Sequence, residues 1–301
     1  MELRGEAAVA AHYDGLDPWY RAIWGAHLHH GLWSSRGQST AAATEALVEL
    51  VAARAGLRPG MAVCDVGCGY GETARALARR HGVSVTGFTI SRAQHEYALA
   101  HGSVDGQVAY ELRSWLRNGL PDAAFDAVIA VESVSHMDDA ALALAECARV
   151  LRPGGRLVVC DWLRSEAPRA WERRALLEPL RRESRLGSLC SAPEYRDLMA
   201  SAGLGSVTFE DLSRRVRRTW WIALRRTGRR VATDPAARRF LLDATNADRD
   251  FVLSLGRIPV AYLTGAMRFG LFGGVRPVPQ PTAGTVVHPG GPLPRGAPLH
   301  P

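Results

Sequence analysis

The sequence predicts an α/β fold built on a doubly wound, mostly parallel sheet of seven strands. Three observations lead to this prediction. From residue 61 onward, short runs of β-branched and apolar residues alternate with helical stretches. A glycine-rich turn at residues 67–71 joins the first of these runs to the helix after it. The chain has 301 residues, 47% of them hydrophobic, which is enough for one large core with an attached lid.

The order of the elements follows from the same patterns. Residues 1–58 are predicted to form an N-terminal helical cap, in which residues 41–55 place apolar residues at helical spacing. Strands are predicted after it at residues 61–66, 84–88, 108–112, 125–131, 155–161, 206–212 and 266–275. Helices are predicted between the strands, among them 140–151, 164–185 and 191–203. The sheet domain therefore covers residues 59–276.

A helical lid is predicted as an insertion before the last strand, at about residues 215–262. Helical patterns in residues 217–230 and 235–251 support it. From Pro277 onward the chain is rich in Pro and Gly and has no periodicity, so residues 277–301 are predicted to be a disordered tail.

Composition excludes several classes of protein. The chain lacks an apolar run long enough to cross a bilayer, so stable membrane insertion is not expected. The charged N-terminus lacks the apolar core of a secretory signal, and a cytoplasmic location is expected. Five cysteines without C-x-x-C spacing predict neither a disulfide framework nor a metal site. The absence of lysine excludes Schiff-base chemistry.

The net charge of +7 comes from arginines, many of them between Arg214 and Arg239. Such a cluster is either a surface for nucleic acid or the solvated face of a helix. No aromatic-interleaved RNA motif accompanies it, so the solvated face is preferred and no nucleic-acid partner is expected. The sequence is compatible with a homo-oligomer but does not specify one.

The glycine-rich turn reads D-V-G-C-G-Y-G-E over residues 65–72. Its glycines let the main chain turn sharply and come close to a ligand, and the N-terminus of the next helix favours an anionic group such as a carboxylate. The spacing is G-x-G-x-G, and Glu72 stands where a dinucleotide-binding turn would have its third glycine. A negative side chain is a poor neighbour for a pyrophosphate, whereas a cationic sulfonium or ammonium tolerates it.

At these residues the sequence resembles class I S-adenosylmethionine-dependent methyltransferases. It is most similar to the group that contains γ-tocopherol methyltransferases, sugar O-methyltransferases of antibiotic pathways and methyltransferase-like cyclases. The resemblance rests on residues 12–33, the turn at 65–71, the segment 89–94, the fourth strand with Glu132 and His136, and residues 149–155. It implies a Rossmann-like methyltransferase fold and S-adenosylmethionine as the cofactor, with S-adenosylhomocysteine as its product.

The resemblance also implies the residues that contact the cofactor. At the second turn the group replaces the usual ribose-binding acid with a segment similar to residues 89–94. Ser114 and Trp115 stand where the group commonly has Asp-Ala against the adenine, which is a departure. The aromatic face of Tyr13 is expected near the sulfonium. The full expected set is Tyr13, Asp65, Gly67, Cys68, Gly69, Gly71, Thr89, Ile90, Gln94, Ser114, Trp115 and Glu132.

The acceptor side is expected at the carboxyl ends of the fourth and fifth strands, where ligands bind in open α/β sheets. Removing a proton from an O or N acceptor suits a histidine at neutral pH. We expect His136 as general base, with Asp161 orienting it or contacting the substrate, and His29 as a further catalytic candidate. The expected substrate-binding residues are Tyr20, Trp24, His30 and Trp33.

Several functions stay open at this point. The preferred hypothesis is methyl transfer to O, N or C of a small-molecule natural product. A cyclase that keeps the cofactor structurally, and a C-methyltransferase whose methylation triggers carbocation cyclisation, are alternatives on the same fold. A nucleic-acid methyltransferase is suggested only by charge, and a non-enzymatic binding module is disfavoured by the intact glycine turn.

Overall fold

The computed structural model describes residues 5–25, 27–243 and 248–279. Its centre is a seven-stranded sheet in the order β3-β2-β1-β4-β5-β7-β6. The pairings among β1 to β5 are parallel, and β7 runs antiparallel to both β5 and β6. The prediction of a mostly parallel sheet is therefore confirmed. The strands are β1 (Ala62–Val66), β2 (Ser84–Thr89), β3 (Val108–Leu112), β4 (Phe125–Val131), β5 (Leu151–Arg164), β6 (Gly205–Asp211) and β7 (Met267–Val275).

Helices connect the strands and cover both faces of the sheet. Several begin at a side-chain cap: the Ser91 hydroxyl accepts from the Gln94 amide, and Ser191 forms a capping box with Glu194. The helices are α1 (Glu6–Ile23), α2 (Thr40–Ala55), α3 (Glu72–His81), α4 (Arg92–Ala100), α5 (Ala140–Val150), α6 (Ala170–Glu172), α7 (Glu178–Glu183), α8 (Ala192–Ser201), α9 (Ser213–Val216), α10 (Arg218–Thr233), α11 (Pro235–Leu242), α12 (Arg249–Ser254) and α13 (Arg257–Thr264).

The core has two halves, one on each face of the sheet. Alternate residues of a strand face opposite layers, so Val63 packs in one half and Cys64 in the other. The first half also contains buried residues of α1, α2, α3 and the helices between β6 and β7. The second half is covered by α5 and α8. The ligand-binding edge of this sheet is the carboxyl ends of β1 to β5.

Some boundaries differ from those predicted. α2 packs on β4, β5 and α3, so it belongs to a layer of the sheet domain, and only α1 and the segment after it act as a cap. β5 continues to Arg164, so the predicted helix over 164–185 starts at Ala170 and contains a π-helical turn at Arg173–Leu177. The helical pattern over 235–251 belongs to two helices, and residues 244–247 between them lie outside the described residues. Of the predicted tail, residues 277–279 are irregular and 280–301 lie outside the described part.

The insertion between β6 and β7 consists of α9 to α13 and packs over the N-terminal segment. Arginines of α10 bind main-chain carbonyls there: Arg226 donates to the Ile23 carbonyl at 2.6 Å and Arg218 to the Ser35 carbonyl at 2.8 Å. Part of the basic cluster therefore joins the insertion to the cap. In the described ranges we find no helix with the length and apolar character needed to cross a membrane.

Candidate active site

One large cavity lies over the carboxyl ends of the parallel strands. Its walls come from the glycine turn after β1, the turns after β2 and β3, the segment after β4, helix α1 and the insertion. About 1340 Å³ of empty space lies within it, including its mouth and open solvent. Concave sites at the carboxyl ends of parallel strands are where ligands bind in this type of sheet.

The three glycines of the turn have different roles. All three have a positive φ, which favours glycine. A Cβ atom on Gly67 would lie 2.4 Å from Cβ of Ser133, and one on Gly71 would lie 2.5 Å from the Tyr110 ring. A Cβ atom on Gly69 would meet only Leu28, at 3.8 Å. Gly67 and Gly69 line the cavity, but Gly71 does not, so its predicted contact with the cofactor is corrected to a packing role under Tyr110.

Asp65 carries an unpaired buried carboxylate oxygen. The residue is 2% exposed and lines the cavity, and its Oδ2 has no hydrogen-bond partner among the residues that the structure describes. Burial raises the pKa of Asp65 to about 7. A buried carboxylate without a partner is costly, and a cationic donor from a ligand would relieve the cost. Cys68 beside it is also buried and lines the cavity.

The turn after β2 holds Thr89, Ile90 and Gln94 against the same cavity. The Thr89 hydroxyl donates to Oε1 of Gln94 at 2.9 Å. Asp14 of α1, an acid that the sequence analysis missed, also contacts this turn. It accepts from the Ser91 hydroxyl at 2.5 Å and from the main-chain N–H of Ala93 at 3.1 Å. Asp14 thus caps the start of α4 from another helix.

The turn after β3 corrects one prediction. Trp115 lines the cavity, and its indole N–H donates to the Ala143 carbonyl at 3.0 Å. Ser114 is not among the lining residues, because its hydroxyl donates to the carboxylate of Glu6. Glu6 itself lines the cavity, although nothing in the sequence pattern singled it out.

Tyr13 and His136 form a pair in the cavity wall. Nδ1 of His136 lies 3.2 Å from the Arg185 carbonyl and must be the protonated nitrogen, which leaves Nε2 as an acceptor. The Tyr13 hydroxyl donates to this Nε2 at 3.0 Å. Burial lowers the pKa of His136 to about 4, so the imidazole is neutral at pH 7. Tyr13 also stacks on Tyr20, with ring centroids 5.2 Å apart.

Glu132 anchors the segment that precedes α2. It follows β4 with a φ of 55°, and its Oε1 accepts from the main-chain N–H of His30 at 2.6 Å and from Nδ1 of His30 at 2.8 Å. Its Oε2 accepts from the Trp162 indole at 3.0 Å. These donors and the nearby histidines lower the pKa of Glu132 despite its burial, so it is ionised.

His30 does not line the cavity, contrary to its predicted contact with the substrate. It is 1% exposed, and its Nε2 accepts from the Trp220 indole at 2.5 Å. His29 does line the cavity, but its Nδ1 donates to the His30 carbonyl at 2.9 Å and its Nε2 lies 3.1 Å from Nδ1 of His27. Burial lowers the pKa values of His29 and His27. His27, which the sequence analysis did not select, lines the cavity beside them.

Asp161 does not contact His136, so the expectation that it orients the base is corrected. Its Oδ2 accepts from the Ser135 amide at 2.8 Å and its Oδ1 from the Trp162 amide at 2.8 Å. Asp161 is 0% exposed and is not among the residues that line the cavity. Along β5 it faces the layer of Tyr195, whereas the next residue, Trp162, faces the cavity.

One side of the cavity is largely aromatic. Tyr20 and Trp24 line this side, as the sequence analysis expected. Trp162, Trp220 and Phe251 line it with them. Trp33 does not: it borders a smaller cavity of about 280 Å³ and donates to the Thr219 hydroxyl at 3.0 Å. The predicted substrate contact of Trp33 is therefore corrected to packing between the cap and α10. Within the described ranges, no group of three or more potential ligand side chains is arranged to hold a metal ion.

The site fits S-adenosylmethionine. The unpaired carboxylate oxygen of Asp65 can accept from an ammonium group, the main chain at Gly69 is open to close approach, and Tyr13 and Trp115 offer aromatic faces. The fold and this cavity define the class of Rossmann-like methyltransferases. Residues 64–159 match the family described as a methyltransferase domain. The chain belongs to the S-adenosylmethionine-dependent methyltransferases, and S-adenosylmethionine is its cofactor.

Several curated relatives are named as methyltransferases. The chain is 36% identical over 218 residues to 27-O-demethylrifamycin SV methyltransferase of Amycolatopsis mediterranei. The aligned region covers 71% of this chain and 79% of that protein. It is 36% identical to O-methyltransferase resE of Aspergillus sclerotiorum, covering 72% of this chain and 83% of that protein. It is 29% identical to chloroplastic tocopherol O-methyltransferase of Arabidopsis thaliana, covering 72% and 68%.

A solved structure with a similar fold is that of the [4+2]-cyclase SpnF. It matches with a TM-score of 0.74 and 26% identity, over 93% of this chain and 98% of that chain. The mycolic acid cyclopropane synthase CmaA1 matches with a TM-score of 0.78 and 19% identity, over 91% and 99%, which shows the shared fold alone. The predicted methyltransferase fold and methyltransferase activity are confirmed by these comparisons.

Proposed function

We propose that the chain methylates a hydroxyl group of a largely apolar natural product, with His136 as the general base. The observation that carries this proposal is the neutral imidazole of His136, whose acceptor nitrogen Nε2 is hydrogen-bonded to the Tyr13 hydroxyl in the wall of the cavity that the glycine turn also lines. When bound, S-adenosylmethionine supplies an electrophilic methyl group. The protein has to place an acceptor in line with that group and take its proton.

The cofactor would be held by residues of the carboxyl edge. Asp65 would accept from its ammonium group, Gly67 and Gly69 would allow close approach of the main chain, and Thr89 with Gln94 would face its ribose. These contacts are inferred from the cavity lining and from the unpaired Oδ2 of Asp65. Glu132 would position the segment that contains His29 and His30 at the site, through its two hydrogen bonds with His30.

The acceptor would lie between the glycine turn and the aromatic wall. Tyr20, Trp24 and Trp220 give this side an apolar character, which suits a ring system or an alkyl chain better than a charged substrate. The acceptor hydroxyl would donate to the Tyr13 oxygen while Tyr13 donates to Nε2 of His136, so the proton ends on His136. The O-methyltransferase names of several relatives agree with an oxygen acceptor.

The experiment is a turnover assay with a panel of hydroxylated natural products and S-adenosylmethionine. We expect a product heavier by one methylene unit and an equal amount of S-adenosylhomocysteine. The cyclase alternative is supported by one observation, the likeness to the [4+2]-cyclase SpnF. A product of unchanged mass, formed without S-adenosylhomocysteine, would favour that alternative.

We also propose that the protein acts in the cytoplasm and does not bind nucleic acid. Titration with RNA and DNA at several salt concentrations tests the absence of nucleic-acid binding.

A further inference from the structure

Helix α1 is fixed to the carboxyl edge of the sheet by three acidic residues, each bound to the segment after a different strand. Asp17 accepts from the Tyr70 hydroxyl at 2.6 Å, in the glycine turn after β1. Asp14 accepts from the Ser91 hydroxyl, after β2. Glu6 accepts from the Ser114 hydroxyl, after β3. The helix therefore lies across the half of the cavity bounded by β1, β2 and β3.

The order of the strands indicates where the amino-acid end, the ribose and the base of the cofactor would bind. The unpaired Asp65 and the open Gly69 place the amino-acid end at β1. Because β2 is next to β1 and β3 is next to β2, an extended nucleoside that follows the strand ends has its ribose at Thr89 and its base beyond β3. The cavity wall there is formed by Trp115 and Glu6.

Of the described side chains that line the cavity at the β3 end, which are Glu6, Arg113 and Trp115, Glu6 is the one that carries a hydrogen-bond acceptor. The Ser114 hydroxyl is used on Glu6, and the Trp115 indole N–H is used on the Ala143 carbonyl. Arg113 donates to the Asn118 carbonyl at 2.8 Å. Among the described residues, the Glu6 carboxylate accepts from Ser114 and from Arg117, the latter at 2.5 Å, and a carboxylate has about four acceptor positions.

We propose that Glu6 recognises the adenine of the cofactor, by accepting a hydrogen bond from its exocyclic amine. A carboxylate can accept from an amine but repels the carbonyl oxygen that hypoxanthine carries in its place. Glu6 belongs to α1 and lies 108 positions before Ser114 in the chain. Recognition of the base is therefore coupled to the docking of α1 on the sheet. This inference rests on the cofactor assignment and is independent of the choice of methyl acceptor.

The test is calorimetric titration with S-adenosylhomocysteine and with its hypoxanthine analogue, S-inosylhomocysteine. For the wild type we expect at least about tenfold tighter binding of the adenine compound. Glu6→Gln keeps the shape of the side chain and can also donate, so the preference should fall by about tenfold. Glu45→Gln, at an exposed acid that pairs with Arg80 away from the cavity lining, is the matched control and should keep the wild-type preference.

Arg117→Ala separates recognition from a structural role. It removes a partner of Glu6 without touching the carboxylate, so it can weaken both ligands but should keep the ratio of their affinities. A Glu6→Gln variant that weakens both ligands equally would make Glu6 only an anchor of α1 and overturn the proposal. Equal binding of the two compounds by the wild type would overturn it too. A wild type that binds neither would contradict the cofactor assignment itself, and the role of Glu6 with it.

Discussion

The Tyr13 hydroxyl donates a 3.0 Å hydrogen bond to Nε2 of His136, although 123 positions separate the two residues in the chain. The contact joins α1 to the segment after β4 inside the cavity. His136 also donates from Nδ1 to the Arg185 carbonyl, so the Tyr13 hydroxyl meets the free lone pair of a neutral imidazole. This is the arrangement that a general base needs, and it requires α1 to be in place.

Replacement of His136 should reduce turnover far more than cofactor binding. For His136→Gln we expect a loss of about 10²- to 10⁴-fold in kcat, because a positioned base is removed. Tyr13→Phe should cost less, about tenfold, because His136 can then accept from the acceptor directly. Turnover at saturating substrate and calorimetry with S-adenosylhomocysteine measure the two effects. His101→Ala, at an exposed histidine bound to the Tyr97 carbonyl, is the control; an unchanged kcat in His136→Gln would remove His136 from the mechanism.

The pH profile should lack the usual histidine inflection. Burial lowers the pKa of His136 to about 4, so about nine-tenths of the imidazole is still neutral at pH 5. We therefore expect the single-turnover rate, with cofactor and acceptor saturating, to stay nearly constant from pH 8 to pH 5 and to fall below pH 5. A rate that is halved near pH 6.5 would mean that another histidine, or a solvated His136, accepts the proton.

The same pKa has a consequence for stability. The folded value of about 4 is below the unfolded value of 6.5, so the unfolded chain binds the proton first. The contribution of neutral His136 to the free energy of unfolding is complete above pH 6.5 and is lost as the pH falls towards 4, by roughly 3 kcal/mol at most. His136→Gln should abolish this part of the pH dependence. Urea denaturation of both proteins between pH 4 and 7 measures the difference.

Cofactor binding should release a proton from Asp65. The folded pKa of about 7 lies above the usual value of 3.8, so burial of the carboxylate lowers the free energy of unfolding progressively as the pH rises from about 4 to 7. An ammonium group at its unpaired oxygen favours the charged carboxylate, and binding at pH 6 should release a proton. Calorimetry in buffers of different ionisation enthalpy counts it.

Two variants make the prediction for Asp65 specific. Asp65→Asn should weaken the binding of S-adenosylhomocysteine and abolish proton release, and it should raise the stability of the cofactor-free protein at pH 8. Burial also raises the pKa of Asp161 to about 7, but Asp161 does not line the cavity. Asp161→Asn should therefore leave proton release unchanged. Proton release that persists in Asp65→Asn would show that another group titrates.

The sequence was sufficient for the sheet because local patterns encode strands. The predicted limits 108–112 and 125–131 are those of β3 and β4, since turn residues and a change of period bound both runs. The prediction for β5 stopped too early at Asp161. The strand continues because its later residues pair with β7, which arrives more than 100 positions later in the chain, and no local pattern carries that information.

The site was less predictable than the fold, for a geometric reason. A position at a strand end tells which edge a residue occupies but not which face it points to, so Asp161 was assigned to the cavity that Trp162 lines. Contacts between distant segments, such as Glu6 with Ser114, depend on how α1 lies across the edge. His29 and His30 could be selected from the sequence, but the contact of His30 with Glu132, which lies 102 positions away, removes its side chain from the cavity lining and could not be read from local sequence.

The glycine turn should separate folding from cofactor binding. Gly67→Ala places a Cβ atom 2.4 Å from Ser133, and Gly71→Ala places one 2.5 Å from the Tyr110 ring, both at a positive φ. We expect each to lower the free energy of unfolding by about 3 kcal/mol or more, through overpacking and backbone strain together. Gly69→Ala has space, with Leu28 at 3.8 Å, so its φ of 55° should cost only about 1 kcal/mol.

Gly69→Ala should nevertheless bind the cofactor poorly, because its added methyl group stands where the main chain is open to a ligand. We expect a folded protein whose melting temperature no longer rises when S-adenosylhomocysteine is added at a concentration that stabilises the wild type. Gly60→Ala is the matched control, since Gly60 also has a positive φ and open space but lies outside the cavity lining. A Gly69→Ala protein that keeps the wild-type thermal shift would place the cofactor away from Gly69, the one glycine of the turn that lines the cavity and has space for a Cβ atom among the described residues.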